Sequence, residues 1–266
     1  MDSIKKKAEG WLQKSCDMVM SLWPQPNPHA ELIKNLRVVA HRGAHDNVSI
    51  FENTQHAFQR ALDVSAWAVE FDIRFTSDDT PIIHHDASTE RIFRKNLIIA
   101  KSSSQDLRKH VPLIPPLEET LEHFGQRLHW MIEVKPQELN ARRVDRLLGI
   151  LRSFRPTEDY HLLGLNPAIL EPFHQLPNES LILVPMTNVR LIVSELQRRR
   201  WGGIAGHYVL IPPVLRAQLI RQGYEVGVGF IASKNSLFRE MRYEQDWIFT
   251  NHAPLLKKIT DSFTAR

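Results

Sequence analysis

The sequence predicts a single (β/α)8 barrel, on three observations. Short apolar runs alternate with amphipathic stretches from Arg37 onward, with no linker between them. Polar residues close many of those runs: His41, Asp72, His85, Lys135, Asn166 and Asn251. A barrel gathers its functional side chains at that end of its strands. No Gly-x-Gly-x-x-Gly follows an early run and no Walker lysine motif occurs, so doubly wound nucleotide-binding folds lose ground. A chain of 266 residues suits one large barrel or two small domains. The unbroken alternation favours one barrel over 36–266, preceded by an N-terminal helix and proline-rich connection at 1–35.

Residues 4–23 predict an amphipathic helix, with Ile4, Ala8, Trp11, Leu12, Met18, Val19 and Leu22 at helical spacing. Pro24, Pro26 and Pro28 end it. Its apolar face is expected to pack across the barrel. Alternatives are a pairing surface, or weak contact of residues 4–22 with a membrane surface through the Lys-rich start, Trp11 and Trp23.

The first strand is expected at 37–41, with Gly43 in a tight turn, and a helix at 54–62 capped by Asn53 or Thr54. Strands at 68–75 and 81–85, joined by a short turn at 77–79, form a hairpin-like return. Residues 88–111 lack periodicity and are expected to form a lid-like excursion. A helix opens at Pro115-Pro116 and runs to Phe124, and a strand follows at 128–135. Helices are expected at 141–154, 168–176, 189–201, 214–221, 236–243 and 255–263. They alternate with strands at 160–165, 181–185, 203–209, 226–231 and 247–250. That makes nine strands where a barrel needs eight, and the surplus falls in the 68–75 and 81–85 hairpin.

Lys and Arg total 34 against 30 Asp and Glu, a net charge of +4. The basic runs are scattered, so no nucleic-acid face is expected. The one cysteine, Cys16, allows neither an intrachain disulfide nor a thiolate cluster. It fits a reducing, cytoplasmic setting, peripheral at most to a membrane. No run reaches 18 apolar residues, and no secretory signal is read at the start.

The chemistry concentrates between Val38 and Asp86. Glu70 and Asp72 lie two apart on a strand, so they leave the same face. Paired carboxylates repel unless a cation lies between them, usually a hard divalent metal. In the blander alternative Glu70 pairs with Arg74 and Asp72 sits at a strand end. His41 and His85 each close their own apolar run, and Glu133 with Lys135 repeats the i, i+2 arrangement. His84 is expected to point away from His85 into packing. Of His45, His56, His161, His174, His207 and His252, most are expected at the surface, with His45 and His207, like Asn166, within reach of the pocket.

Six motifs in order then carry a specific resemblance. They are His41-Arg42-Gly43, Glu52-Asn53-Thr54, Glu70-x-Asp72, His85-Asp86, Ile114-Pro115-Pro116-Leu117-Glu118-Glu119 and Ile132-Glu133-Val134-Lys135. The chain resembles the glycerophosphodiester phosphodiesterase family from about Arg37 to Pro254. The resemblance implies a barrel enzyme with metal ligands Glu70, Asp72 and Glu133, acid–base histidines His41 and His85, and phosphate contacts Arg42 and Lys135. It implies one Mg²⁺ or Ca²⁺ and a small phosphodiester substrate, cleaved to sn-glycerol 3-phosphate and an alcohol. The substrate's own 2-hydroxyl would attack, giving a cyclic phosphate that water opens. Glu52 is expected behind the metal or as a helix-start anchor, and Asp86 to orient a loop or a histidine.

Departures from the family pattern touch the pocket walls. Gly229-Phe230-Ile231-Ala232 replaces a Trp-Thr-Val-Asn run, and Thr250-Asn251-His252-Ala253-Pro254 replaces Thr-Asp-x-Pro. The segment between His85 and Pro115 is shorter than the insertion of many members. These changes leave the leaving group open. A phospholipase D-like action on lysophospholipid or sphingolipid is the alternative activity. An idle barrel serving as a binding module is disfavoured by the complete set His41, Glu70, Asp72, His85 and Glu133.

Overall fold

The computed structural model describes residues 18–136 and 139–264. Eight parallel strands close a barrel: β1 (Val38–His41), β2 (Ala68–Phe75), β4 (His129–Val134), β5 (Tyr160–Gly164), β6 (Leu181–Leu183), β7 (Gly203–His207), β8 (Glu225–Gly229) and β9 (Trp247–Thr250). Closure comes from β1 pairing with both β2 and β9. The surplus strand, β3 (Pro81–Ile83), returns antiparallel along β2, with Arg74 opposite Ile82.

The strands are nearly continuous apolar runs because both faces are covered. Outward side chains such as Val69, Phe71, Trp130, Ile132 and Leu162 share one buried cluster with the helices, while inward Val39, Ala68, Met131, Ile182 and Trp247 fill the interior. The helices take the expected stations: α2 (Gln55–Asp63), α5 (Leu117–Phe124), α6 (Ala141–Leu151), α8 (Val189–Arg199), α9 (Pro213–Arg221), α10 (Lys234–Glu240) and α11 (Ala253–Thr264). Thr54 caps α2 by accepting from the Ala57 N–H.

Three expectations change. Residues 88–111 are not a bare loop. They hold α3 (Glu90–Phe93) and α4 (Ser104–His110), the latter opened by a capping box between Ser103 and Asp106. Ile82, Ile99, Leu107, Val111 and Ile114 form their own small core. Helices this short show no 3.6-residue period, so only the cap was there to be read. At 168–176 the α-helix α7 covers only Pro167–Leu170 and tightens into a 3-10 turn at Glu171–Phe173, where Pro172 supplies no N–H. A short helix, α1 (Ala30–Lys34), also precedes β1.

Most of the N-terminal helix lies outside the described residues. Residues 18–22 are helical. Met20 packs on the cluster of Val228, Ile231, Leu237 and Phe238, and the Ser21 carbonyl accepts from Asn235 Nδ2 at 2.7 Å. Met18, Val19, Leu22 and Trp23 stay exposed, the last at 69%.

His161 is not at the surface. It lies buried at the N-terminal end of the barrel, 2.8 Å from His129 Nε2 and 3.1 Å from Glu225 Oε2. His129 Nδ1 donates to the Glu158 carbonyl at 2.9 Å, and Trp67 stacks on its ring. A polar chain here is tolerable because every ring nitrogen has a partner. Burial, with His161 beside it, holds the His129 pKa down at about 3.

Candidate active site

Strand register brings the sequence-distant groups together. His41 pairs in register with Glu70, and Asp72 with Glu133, so all four stand at the C-terminal mouth of β1, β2 and β4. One carboxylate oxygen from each of Glu70, Asp72 and Glu133 lies within 4.8 Å of the others. All three residues are buried. The turn after His41 is shaped for this cluster. Arg42 adopts φ 57° and Gly43 φ 80°. A Cβ on Gly43 would stand 2.7 Å from that of Ala57, so only glycine fits. The turn aims the Arg42 N–H at Glu70 Oε2, 3.0 Å away. Asn53, also at positive φ, donates to Asp72 Oδ2 at 2.8 Å.

Arg74 does not neutralise Glu70; its Nε donates to the His85 carbonyl at 2.8 Å. Asp72 instead receives Lys135 Nζ at 2.7 Å and Arg42 Nε at 3.3 Å, and Lys135 also bonds Glu133. Burial opposes ionisation of Asp72, yet the Lys135 and Arg42 charges outweigh it and hold the carboxyl below the usual range. Lys135 is shifted up: its burial is overcome by Asp72 and Glu133. Glu70 has no such relief. Burial first, then repulsion from Asp72 and Glu133, drives its pKa well up.

Three carboxylates thus face two cations, and Glu70 Oε1 has no hydrogen-bond partner among the described residues. The unsatisfied oxygen, the residual negative charge and an all-oxygen donor set fit one hard divalent cation.

The two histidines flank the carboxylates from different elements. His41 Nδ1 bonds Asn251 Oδ1 at 2.7 Å, while its Nε2 lies 3.7 Å from Glu70 Oε2 and its ring meets the Phe230 edge at 4.8 Å. Burial, then the Arg42 charge, takes its pKa down to about 3. His85 Nδ1 bonds Asp86 Oδ1 at 2.7 Å. Glu52 is buried but turned from the cluster. Its oxygens accept from Arg42 at 2.8 Å, Asn47 at 2.8 Å and Arg91 at 2.6 Å. Although burial works against it, those donors bring its pKa to about 2.

Other sequence candidates fall further out. His84 is buried, bonds the Ser88 carbonyl at 3.0 Å and packs on Phe93. Asn166 caps α7. His207 is buried behind Phe230, with its Nδ1 accepting from the Val209 N–H. Beyond His41, Glu70 and Glu133 the pocket wall turns apolar, with Leu163, Val184, Ala205, Phe230 and Phe249. Asn53 and Asn251 acquire contacts that only the structure reveals, although both stand in quoted motifs. Arg91 carried no signal at all, since a lone arginine in an aperiodic stretch resembles any solvated charge.

Fold and site together define a (β/α)8-barrel protein with a buried cluster of three carboxylates that could hold a metal ion, flanked by two histidines. Residues 41–161 match the model of the glycerophosphoryl diester phosphodiesterase family. The chain carries this match over less than half of its length. It is 29% identical to a glycerophosphodiester phosphodiesterase of Bacillus altitudinis over 110 residues, 37% of this chain and 44% of that protein. It is 32% identical to one from Caldanaerobacter subterraneus subsp. tengcongensis over 72 residues, 27% of this chain and 29% of that protein. The matched stretches therefore span less than half of either relative. Among solved structures, glycerophosphodiester phosphodiesterase from Thermotoga maritima superposes with TM-score 0.71 at 20% identity, covering 84% of this chain and 98% of that one. An Oleispira antarctica phosphodiesterase, solved in complex with its product sn-glycerol-3-phosphate, gives TM-score 0.74 at 20% identity over 86% and 96%.

Proposed function

We propose that the chain is a divalent-cation-dependent hydrolase of glycerophosphodiesters, releasing sn-glycerol 3-phosphate and an alcohol. The observation that carries this is the buried Glu70, Asp72 and Glu133 cluster standing between two histidines at the mouth of the barrel. The product bound by the Oleispira phosphodiesterase supports the same substrate class. Those three carboxylates would hold Mg²⁺ or Ca²⁺, which supplies Lewis-acid charge neutralisation for a phosphodiester anion.

The chain's own groups do the rest. Arg42 and Lys135 stand beside the carboxylates, placed to balance the charge that builds on the phosphoryl oxygens. His41 faces the neutral amide oxygen of Asn251 through Nδ1, which leaves Nε2 as the proton acceptor for the attacking hydroxyl. His85 bonds the Asp86 carboxylate through Nδ1, which fixes the ring and leaves Nε2 free to face the leaving oxygen and give it a proton.

A second reading, hydrolysis of a lysophospholipid at a membrane surface, rests on the apolar wall of Leu163, Val184 and Phe230 and on the exposed Met18, Val19, Leu22 and Trp23. No helix among the described residues is long and apolar enough to cross a membrane.

The test is glycerol 3-phosphate release from glycerophosphocholine by the purified chain, with chelator and then with Mg²⁺ or Ca²⁺ restored. Metal-restored release is expected. Silence there with turnover of lysophosphatidylcholine moves the substrate to the second reading, and silence on both overturns the function.

A further inference from the structure

Arg91 is on α3 in the excursion that follows β3. Its guanidinium joins the two halves of the site. Nε bonds Asp86 Oδ2, while its two terminal nitrogens straddle Glu52, at 2.6 Å from Oε1 and 3.2 Å from Oε2. Each carboxylate holds a different group. Asp86 Oδ1 bonds His85 Nδ1 at 2.7 Å, and Glu52 Oε1 also accepts from Arg42 at 2.8 Å. Arg42 in turn lies 3.3 Å from Asp72. The chain His85–Asp86–Arg91–Glu52–Arg42–Asp72 is continuous.

We propose that Arg91 is a positioning residue that sets the His85 imidazole and the Arg42 guanidinium in register through Asp86 and Glu52. This rests on the function proposed above. Arg91 is suited to the task because a planar fork with donors on three nitrogens can hold two carboxylates at fixed angles, which a lysine cannot. Its helix is pinned: Phe93 packs on Phe51, ring centres 5.8 Å apart, and on His84 at 5.9 Å. Without Arg91, Asp86 and Glu52 lose the charge between them. Glu52, buried, would draw more heavily on Arg42, and Asp86 would be free to rotate off His85.

Arg91 touches neither the carboxylate cluster nor the apolar pocket wall, so its loss should act on turnover and leave substrate affinity nearly intact. Arg91→Ala is expected to lower kcat roughly 10- to 100-fold, the scale of an ångström-level misplacement, with KM changed less than about threefold. Arg91→Lys should recover part of the loss, and added guanidinium ion should rescue the Arg91→Ala protein but not the parent.

A readout independent of turnover is the ring-nitrogen NMR spectrum of His85. In the parent Nδ1 carries the proton bonded to Asp86, and in Arg91→Ala that preference should relax. Glu90→Ala, on the same short helix, serves as the control for damage to the excursion. Unchanged kcat in Arg91→Ala overturns the proposal. So does an equal, unrescued loss in both variants with the His85 signals of the parent. If Arg91→Ala does not fold, Arg91→Gln and Arg91→Lys carry the same comparison. If the parent itself turns over no phosphodiester, the functional reading fails, and the His85 spectrum still decides the role of Arg91.

Discussion

Glu70→Gln should push stability and metal binding in opposite directions. Glu70 is buried, one of its oxygens accepts only the Arg42 N–H, and the other has no hydrogen bond among the described residues. Two unit charges at the 4.8 Å limit that spans the three carboxylates repel by about 3.5 kcal/mol at an effective dielectric of about 20. Lys135 and Arg42 already offset part of the cluster's charge, so roughly 1–2 kcal/mol should be recovered when Glu70 becomes neutral. Gln keeps a carbonyl oxygen for the Arg42 N–H and turns an NH₂ toward the neighbouring carboxylates. The chelator-treated variant should therefore melt higher than the parent, by about 2–8 °C for a chain of this size. The cation response should reverse the ranking. A parent saturated at about a hundred times its Kd gains about 2.7 kcal/mol, whereas the variant should gain little and lose turnover. Thermal melts with chelator and across a Mg²⁺ or Ca²⁺ titration, followed by the glycerol 3-phosphate assay, read both effects. A chelator-treated variant that melts lower, or a cation-induced gain equal to the parent's, would refute the electrostatic account of this cluster.

Three further outcomes follow from other parts of the molecule. His41→Ala and His85→Ala should each reduce turnover by roughly 10² or more; losses under tenfold in both would remove the acid–base pair. Because the His129 pKa is held near 3, below an unfolded value of about 6.5, the unfolded chain binds the extra proton first as pH falls. His129 thus costs stability progressively from about pH 6.5 down toward 3 and nothing above that window. His129→Gln should flatten that part of the urea-stability profile, and an unchanged slope would contradict the assignment. The fully buried Arg216–Glu240 pair, 2.6 Å apart, ties α9 to α10, and Arg216 also bonds the Ile211 and Tyr208 carbonyls. Glu240→Gln should cost roughly 3–5 kcal/mol by stranding the guanidinium, and a urea midpoint unchanged by the variant would show that the pair is solvated.

Much of this was legible along the chain. Strand and helix alternate because each strand must bury two faces and each helix one, and that periodicity survives without knowledge of contacts. Glu70 with Asp72, and Glu133 with Lys135, share faces by the two-residue repeat of a strand, a property of local backbone geometry alone. The excursion at 88–111 was illegible as helix because α3 and α4 are too short to display a period. His161 read as a surface group because its partners, His129 and Glu225, are 32 and 64 residues away.

The sequence by itself determined the barrel and the hairpin arm, and set Glu70 with Asp72 and Glu133 with Lys135 on common strand faces, since these follow from spacing within single elements. Only the tertiary structure decided how they meet. The one-to-one register of β1 with β2 and of β2 with β4 sets His41 beside Glu70 and Asp72 beside Glu133. Closure of β9 onto β1 carries Asn251 to His41, across 210 residues. The return of the excursion over the mouth brings Arg91 to Glu52 and Asp86. Such pairings depend on where chain segments end in space, and charge–charge and hydrogen-bond energies fall off within a few ångströms, so no linear spacing encodes them.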